Sequence, residues 1–236
     1  MFRALQKLWT ALLPAQLLII TACVGLSVGP LLIVTLSLAR GNVGAWNTPV
    51  PPATPVPSVN PNAIGSVFTP QVQFWSDKIV GWSKRYGIDP NILATVMQVE
   101  SCGDPIVGSG AGAQGLFQVM PFHFTQGEDP HDPDTNARRA IEYLKGALDR
   151  ADGHIGLALA GYNGGWGVID QGWAGWYQET KSYYLWVSQI YLDSASGKST
   201  AESAALQSWL HAGGSALCTE AQADLAAMIA TPGARS

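Results

Sequence analysis

Pro49, Pro51, Pro52, Pro55, Pro57 and Pro61 crowd the stretch 48–62. A segment that lacks so many backbone N–H donors cannot sustain a helix or a sheet ladder, and this one cannot form a packed core. It is an extended, semi-rigid spacer, and it splits the chain into two unequal parts.

The part before the spacer holds an uncharged run, residues 8–39, preceded by Arg3 and Lys7. Its densest portion, residues 17–39, is long enough to cross a bilayer as a helix. Positive charge ahead of it favours a cytoplasmic N-terminus, although Arg40 on the far side weakens the bias. Two processing alternatives stay open. Ser37-Leu38-Ala39 has the form of a signal-peptidase site, and Ile20-Thr21-Ala22-Cys23 has the form of a bacterial lipobox. All three readings export the rest of the chain, either held at the cell membrane or secreted after cleavage. The expected organisation is an anchor or signal segment over 1–40, a Pro-rich linker over 41–64, a folded domain over 65–193 and a helical C-terminal extension over 194–236.

Only 13% of residues are charged, the net charge is −4, and no basic cluster appears, which argues against a nucleic-acid partner. His123, His131, His154 and His211 lack zinc-ligand spacing. Asp132, Asp134 and Asn136 alternate like the opening of a calcium loop, but Pro133 interrupts, Ala137 stands where Gly is needed and position twelve is Tyr143. The better reading is a helix capped by Asp134, with Ala137, Ile141, Leu144 and Leu148 as its buried stripe. No metal site is expected.

The domain is expected to be mainly α, because no period-2 alternation marks a sheet. Val72, Trp75, Ile79, Trp82 and Tyr86 make a helical core stripe that ends at Gly87. Asp89 caps a second helix with Pro90 at its first position. Ile92, Val96 and Val99 recur on one face, and Cys102-Gly103-Asp104-Pro105 ends the helix. Glu100 therefore falls in the last turn. The helix dipole is negative there, and the neighbours are apolar. Both raise a carboxyl pKa, as a general acid near neutral pH requires. Trp166, Trp173 and Trp176 precede Glu179 in a Gly-rich connection, where stacking on sugars and simple packing are both open. After Ser194–Thr200 two short helical patterns occur. Cys102 and Cys218 lie outside the membrane segment, where an oxidising exterior permits a disulfide that ties the tail beside the site.

Glu100-Ser101, Asp104-Pro105, Ser109, Gly112-Ala113, the Gly115-Leu116-Phe117-Gln118-Val119-Met120-Pro121 run, Gly161-Tyr162-Asn163-Gly164-Gly165 and Glu179-Thr180-x-x-Tyr183 stand in this order. Together they resemble the catalytic domain of the soluble lytic murein transglycosylases, a lysozyme-like superfamily that includes goose-type lysozymes. The resemblance covers roughly residues 70–192. It implies an SLT-type lysozyme-like helical domain that cleaves the bond between N-acetylmuramic acid and N-acetylglucosamine in peptidoglycan glycan strands. It implies Glu100 as the single catalytic acid and base. Ser109, Gln118, Met120, Tyr162, Asn163 and Glu179 match substrate-binding positions, and Tyr183 matches a hydroxyl that orients the Glu. With one carboxylate rather than the usual pair, the implied route is substrate-assisted. Glu100 protonates the leaving oxygen, the acetamido oxygen supports the anomeric carbon, and the sugar's own C6 hydroxyl closes a 1,6-anhydro ring, with no cofactor.

The departures are Phe117, where the family usually has Met, and Gly161 and Gly164, which replace two Ala. Phe117 is expected to alter the cleft, and the extra Gly to loosen the Tyr162 turn. A water-using lysozyme-type hydrolase and a non-catalytic glycan-binding module are the competing readings. The sequence is silent on oligomeric state.

Overall fold

The computed structural model describes residues 60–230. The expected membrane segment and most of the Pro-rich linker lie outside the described residues. Among the described residues no helix is long and apolar enough to cross a membrane.

Among the described residues the fold is mainly helical, with only isolated bridges of β pairing, Gly108 with Gln114 and Gln114 with Val119. Helices α1 (Pro70–Gln73) and α2 (Ser76–Tyr86) carry the first aromatic stripe. They are two helices rather than one: Trp75 leaves helical geometry at φ −91 and ψ 3, and its indole Nε1 donates to Gly103 O at 2.8 Å. Gly87 then ends α2 in the left-handed conformation at φ 66, the usual glycine stop.

Helix α3 (Pro90–Glu100) starts as expected, with the Asp89 side chain accepting the Asn91 N–H. Its apolar stripe is only part of the picture, because every residue from Pro90 to Glu100 is buried. Neighbours surround α3: α2 packs on it, and so does the long α7 (Gln178–Ala195). Burying side chains such as Leu93, Val96 and Met97 stabilises the centre by about 2 kcal/mol each. The catalytic candidate thus ends the most enclosed helix of the domain.

Helix α4 (Pro133–Arg150) is capped by Asp132, not Asp134. Pro133 takes the first helical position, so the residue before it must be the cap, and Asp132 accepts the Thr135 N–H at 2.8 Å. Asp134 instead takes bonds from Lys78 Nζ at 2.9 Å and Trp82 Nε1 at 2.7 Å, tying α4 to α2. Helix α5 (Ile155–Gly164) lies against both α4 and α7, and the short α6 (Gly167–Gln171) comes next.

Helix α7 runs to Ala195, past the expected boundary. The tail beyond it forms α8 (Ala204–Trp209), a wide turn over Leu210–Gly214 and α9 (Ser215–Ala230). It does not hang free: Leu206, Trp209, Ala221 and Leu225 join the same hydrophobic core as α2, α3 and α7, and α9 packs on α1. Cys102 and Cys218 are joined by a disulfide with Cα atoms 5.0 Å apart. The Gln98 amide donates to Cys102 Sγ at 3.3 Å and its carbonyl accepts the Thr69 N–H at 3.0 Å. The tail is therefore locked to the helix that carries Glu100.

Candidate active site

Glu100 closes α3, and Ser101 breaks away at φ −136 and ψ −10. Ser101 Oγ donates to Leu116 O at 2.6 Å and accepts the Gly103 N–H at 3.0 Å. The Glu-Ser pair is therefore a joint: one residue faces the site, and the next fastens the helix end to the Gly-Leu turn.

That turn is held from below by Asn136 of α4. Its Nδ2 donates to Gln114 O and Pro130 O, each at 2.8 Å, and its Oδ1 accepts the Phe117 N–H at 2.9 Å. Gly115 makes this possible: with φ 73, it has no Cβ to come within 2.5 Å of Asn136 Nδ2. The tightness of the turn forces Gln118 to φ 49, a left-handed conformation that is costly outside Gly and Asn. The Gln118 amide Nε2 donates to Val107 O and Gly115 O, both at 3.0 Å. Its Oε1 is buried and finds no hydrogen-bond partner among the described residues. An orphaned acceptor that is held in place on a strained backbone marks a site for a donor from outside.

Two departures from the family pattern act differently from expectation. Phe117 does not shape the cleft; its ring is fully buried and meets Trp82 edge-on at 5.9 Å. Gly161 and Gly164 do not loosen a turn. Both lie within α5, where a Cβ would come to 2.8 Å from Ile169 Cδ1 and 2.7 Å from Thr180 Oγ1 respectively. They let α6 and α7 approach the end of α5. The Tyr162 hydroxyl there donates to Phe117 O at 2.8 Å, and Asn163 Oδ1 accepts from Thr180 Oγ1 at 3.1 Å.

Glu100 is 6% exposed. Burial lifts its carboxyl pKa to about 7; the Tyr183 hydroxyl pulls the other way, and the negative charge of Glu179 adds to the rise. Among the described residues the Tyr183 hydroxyl meets no group at ordinary hydrogen-bond geometry, so its hold on the carboxylate is loose. Burial, then the charge of Glu100, keeps Tyr162 and Tyr183 protonated far above the usual tyrosine range. Two neutral hydroxyls therefore flank a carboxyl poised to hold or lose a proton near neutral pH.

A cavity of about 310 Å³ opens beside Tyr162. Gln118, Met120, Tyr162 and Asn163 line it together with Val119, Phe122, His123 and Tyr143, and no carboxylate is on its wall. Glu100 itself is set back from the lining, beside Tyr162. Glu179 is exposed in the first turn of α7, close enough for its charge to act on Glu100. Ser109 is not on the cavity wall; its Oγ accepts the Ala113 N–H at 2.9 Å and shapes the preceding loop. Asp104 points elsewhere: it accepts the Ile106 N–H at 2.9 Å, and burial, with Asp224 nearby, raises its pKa. Tyr184 packs against Trp173 and Trp176, which makes those two tryptophans core, whereas Trp166 is 37% exposed and stacks on Tyr143.

Sequence reasoning passes over Phe122, His123 and Tyr143 as cavity-lining residues. It weighs His123 and Tyr143 only against metal-site patterns, and the aromatic run Phe122-His123-Phe124 directly after Pro121 is the signal available. It also misses Asn136 as the fastening of the turn. Asp132, Asp134 and Asn136 spend their polar atoms on protein groups, and among the described residues no cluster of three His, Cys, Asp or Glu could hold a metal ion.

Residues 77–184 match the family model for the Transglycosylase SLT domain. Over that stretch the chain is similar to a lytic transglycosylase domain. It is 38% identical over 111 residues to the "Transglycosylase" of Enterobacteria phage PRD1, a match that covers 46% of this chain and 40% of the relative. It is 31% identical over 110 residues to "Membrane-bound lytic murein transglycosylase C" of Glaesserella parasuis, covering 37% of this chain and 29% of the relative. The protein of that name from Actinobacillus pleuropneumoniae serotype 5b is 49% identical over 39 residues, 16% of this chain and 11% of the relative. A solved chain of the Pseudomonas aeruginosa lytic transglycosylase Slt, an inactive mutant, covers 48% of this chain and 22% of its own length at 25% identity, with a TM-score of 0.42. The chain spans less than half the length of each of these relatives.

Proposed function

We propose that this protein is a lytic transglycosylase that cuts peptidoglycan glycan strands outside the cytoplasm. The observation that carries the reading is the buried carboxyl of Glu100, with its pKa lifted to about 7, next to Tyr162 of a cavity whose lining among the described residues contains no acid. A two-carboxylate glycosidase needs a second acid across the scissile bond. Here the second acid, Glu179, sits exposed at the start of α7, where it tunes the charge of Glu100 and meets substrate.

In this reading Glu100 gives its proton to the oxygen between N-acetylmuramic acid and N-acetylglucosamine. The muramic acetamido oxygen supports the anomeric carbon as the bond breaks. Glu100, now a carboxylate, takes the proton from the C6 hydroxyl as that oxygen closes a 1,6-anhydro ring, and the enzyme returns to its starting state. Tyr183 favours the carboxylate form of Glu100, and Tyr162, whose hydroxyl donates to Phe117 O, stands beside it. Gln118 Oε1 accepts from a sugar N–H or O–H, Asn163 and Met120 border the reacting sugar, and Ser109 shapes the loop at its edge. The organisation that fits is a tether over 1–64, the catalytic domain over 65–193 and a tail over 194–236 that braces it. The word membrane-bound in the names of the similar proteins and the apolar run 8–39 support an envelope location.

The test is digestion of purified peptidoglycan by the full chain, with Glu100→Gln alongside, read by mass spectrometry of the released sugars. The expected result is anhydromuramic ends from the parent and none from the variant. Reducing muramic ends would instead identify a hydrolase, and release that survives Glu100→Gln would remove Glu100 from the chemistry.

A further inference from the structure

Four aromatic rings run in unbroken contact beside the reacting group, and the third of them, Tyr143, also meets Tyr162 edge-on at 5.7 Å. Phe122 and His123 have ring centroids 4.5 Å apart, His123 and Tyr143 4.7 Å, and Tyr143 and Trp166 5.2 Å, the last pair stacked at 23°. Phe122, His123 and Tyr143 line the cavity that Gln118 and Tyr162 share. Phe122 is 75% exposed and Trp166 37%. Neither residue belongs to the set that the family resemblance placed on substrate.

The row is built, not accidental. Trp166 lies over α4 at Gly146, where a Cβ would stand 2.4 Å from its ring atoms. Burial raises the pKa of the Tyr143 hydroxyl and keeps it protonated, against a smaller opposing pull from the Trp166 backbone. Burial, then the charge of Arg139, holds His123 below the usual histidine range, so its ring is neutral at pH 7. Arg139 is itself engaged by Glu128 at 2.8 Å. The result is a neutral strip of ring faces with polar edges, and Gln118, whose Oε1 is unpartnered among the described residues, lines the same cavity. An apolar peptide would leave those edges unpaired. A pyranose chain suits them: its C–H faces lie on rings and its equatorial hydroxyls and acetamido groups reach sideways.

We propose that Phe122, His123, Tyr143 and Trp166 form an aromatic platform that binds further sugars of a β-1,4-linked amino-sugar chain, beyond those held at Glu100. The proposal rests on the glycan reading of the cavity. It makes the protein a reader of strand length, with long strands held more tightly than short ones.

The experiment uses the full chain in detergent with Glu100→Gln, titrated by calorimetry with β-1,4-linked N-acetylglucosamine oligomers, dimer through hexamer. The hexamer is expected to bind at least about tenfold more tightly than the dimer, and Phe122→Ala or Trp166→Ala to remove about tenfold from the hexamer alone. Gly146→Ala, which crowds the indole without altering the row's chemistry, is expected to reproduce Trp166→Ala. Thermal unfolding confirms that each variant is folded. Equal affinity for dimer and hexamer overturns the platform, as does a hexamer affinity untouched by the ring variants, or no binding at all. Cleavage is scored separately with the parent. Length-dependent binding without cleavage keeps the platform and loses the transglycosylase reading; cleavage with length-independent binding does the reverse.

Discussion

At the scale of single residues, the site turns on where Glu100 keeps its proton. Activity that needs a protonated Glu100 is expected to fall as pH rises through about 7. The Tyr183 hydroxyl favours the carboxylate, so Tyr183→Phe is expected to move that alkaline limb upward, which a pH–rate profile reads directly. A limb that moved downward would mean that the hydroxyl favours the acid instead. The same proton is a stability term. The folded chain holds it up to about pH 7, whereas the unfolded chain releases it in the ordinary carboxylate range. Between those values the folded state binds the extra proton, so stability falls as pH rises and then levels off above about 7. The whole decline is about 3 kcal/mol. Glu100→Gln has no charge to bury, and it is expected to unfold at higher urea than the parent at about pH 8, with the difference vanishing at about pH 4.

Among the elements, the Gly-Leu turn is the part most exposed to single changes. Asn136 satisfies Gln114 O and the Phe117 N–H at the turn and Pro130 O in the loop before α4, and Asn136→Ala leaves these groups, at least partly buried, without that partner. The expected cost is about 3 kcal/mol of stability, with kcat lost more severely than stability because Gln118 rides on the same turn. Urea unfolding beside peptidoglycan turnover checks both; full activity at reduced stability would separate the turn from the chemistry. Gly164→Ala presses a methyl on Thr180 and Val168. It is expected to push α7 from α5, lowering activity through Tyr183 and Glu179 rather than through Tyr162 itself.

For the molecule as a whole, the disulfide decides how the tail and the site depend on each other. Cys102 and Cys218 are 116 residues apart in sequence, and a crosslink closing so long a loop contributes about 5 kcal/mol through the unfolded chain. Cys218→Ser, or a reductant added to the parent, is expected to lower the urea midpoint accordingly. Because Leu206, Trp209 and Leu225 belong to the main core, a chain ending at 193 is expected to expose apolar surface on α1 and α7 and to lose solubility. A soluble, fully active fragment would show that the tail is an accessory.

Helix α3, its Asp89 cap, the position of Glu100 in its last turn and the helical character of the domain were legible in the sequence. Each depends on neighbours in the chain: a cap, a proline, a period of apolar residues. The ordered motifs were legible too, and they carried the family. What no local pattern contained was the meeting of α3, α5 and α7. Only that packing surrounds Glu100 on every side, and only enclosure lifts its pKa as far as about 7. The same holds for Trp166. Its surroundings in sequence read equally as core or platform, and the absence of a Cβ at Gly146, twenty residues earlier in the chain, settled where the ring lies. Short-range order comes from backbone preference and is written residue by residue. Burial, pKa and ring stacking are properties of atoms brought together from distant positions, and they exist only once the chain has folded.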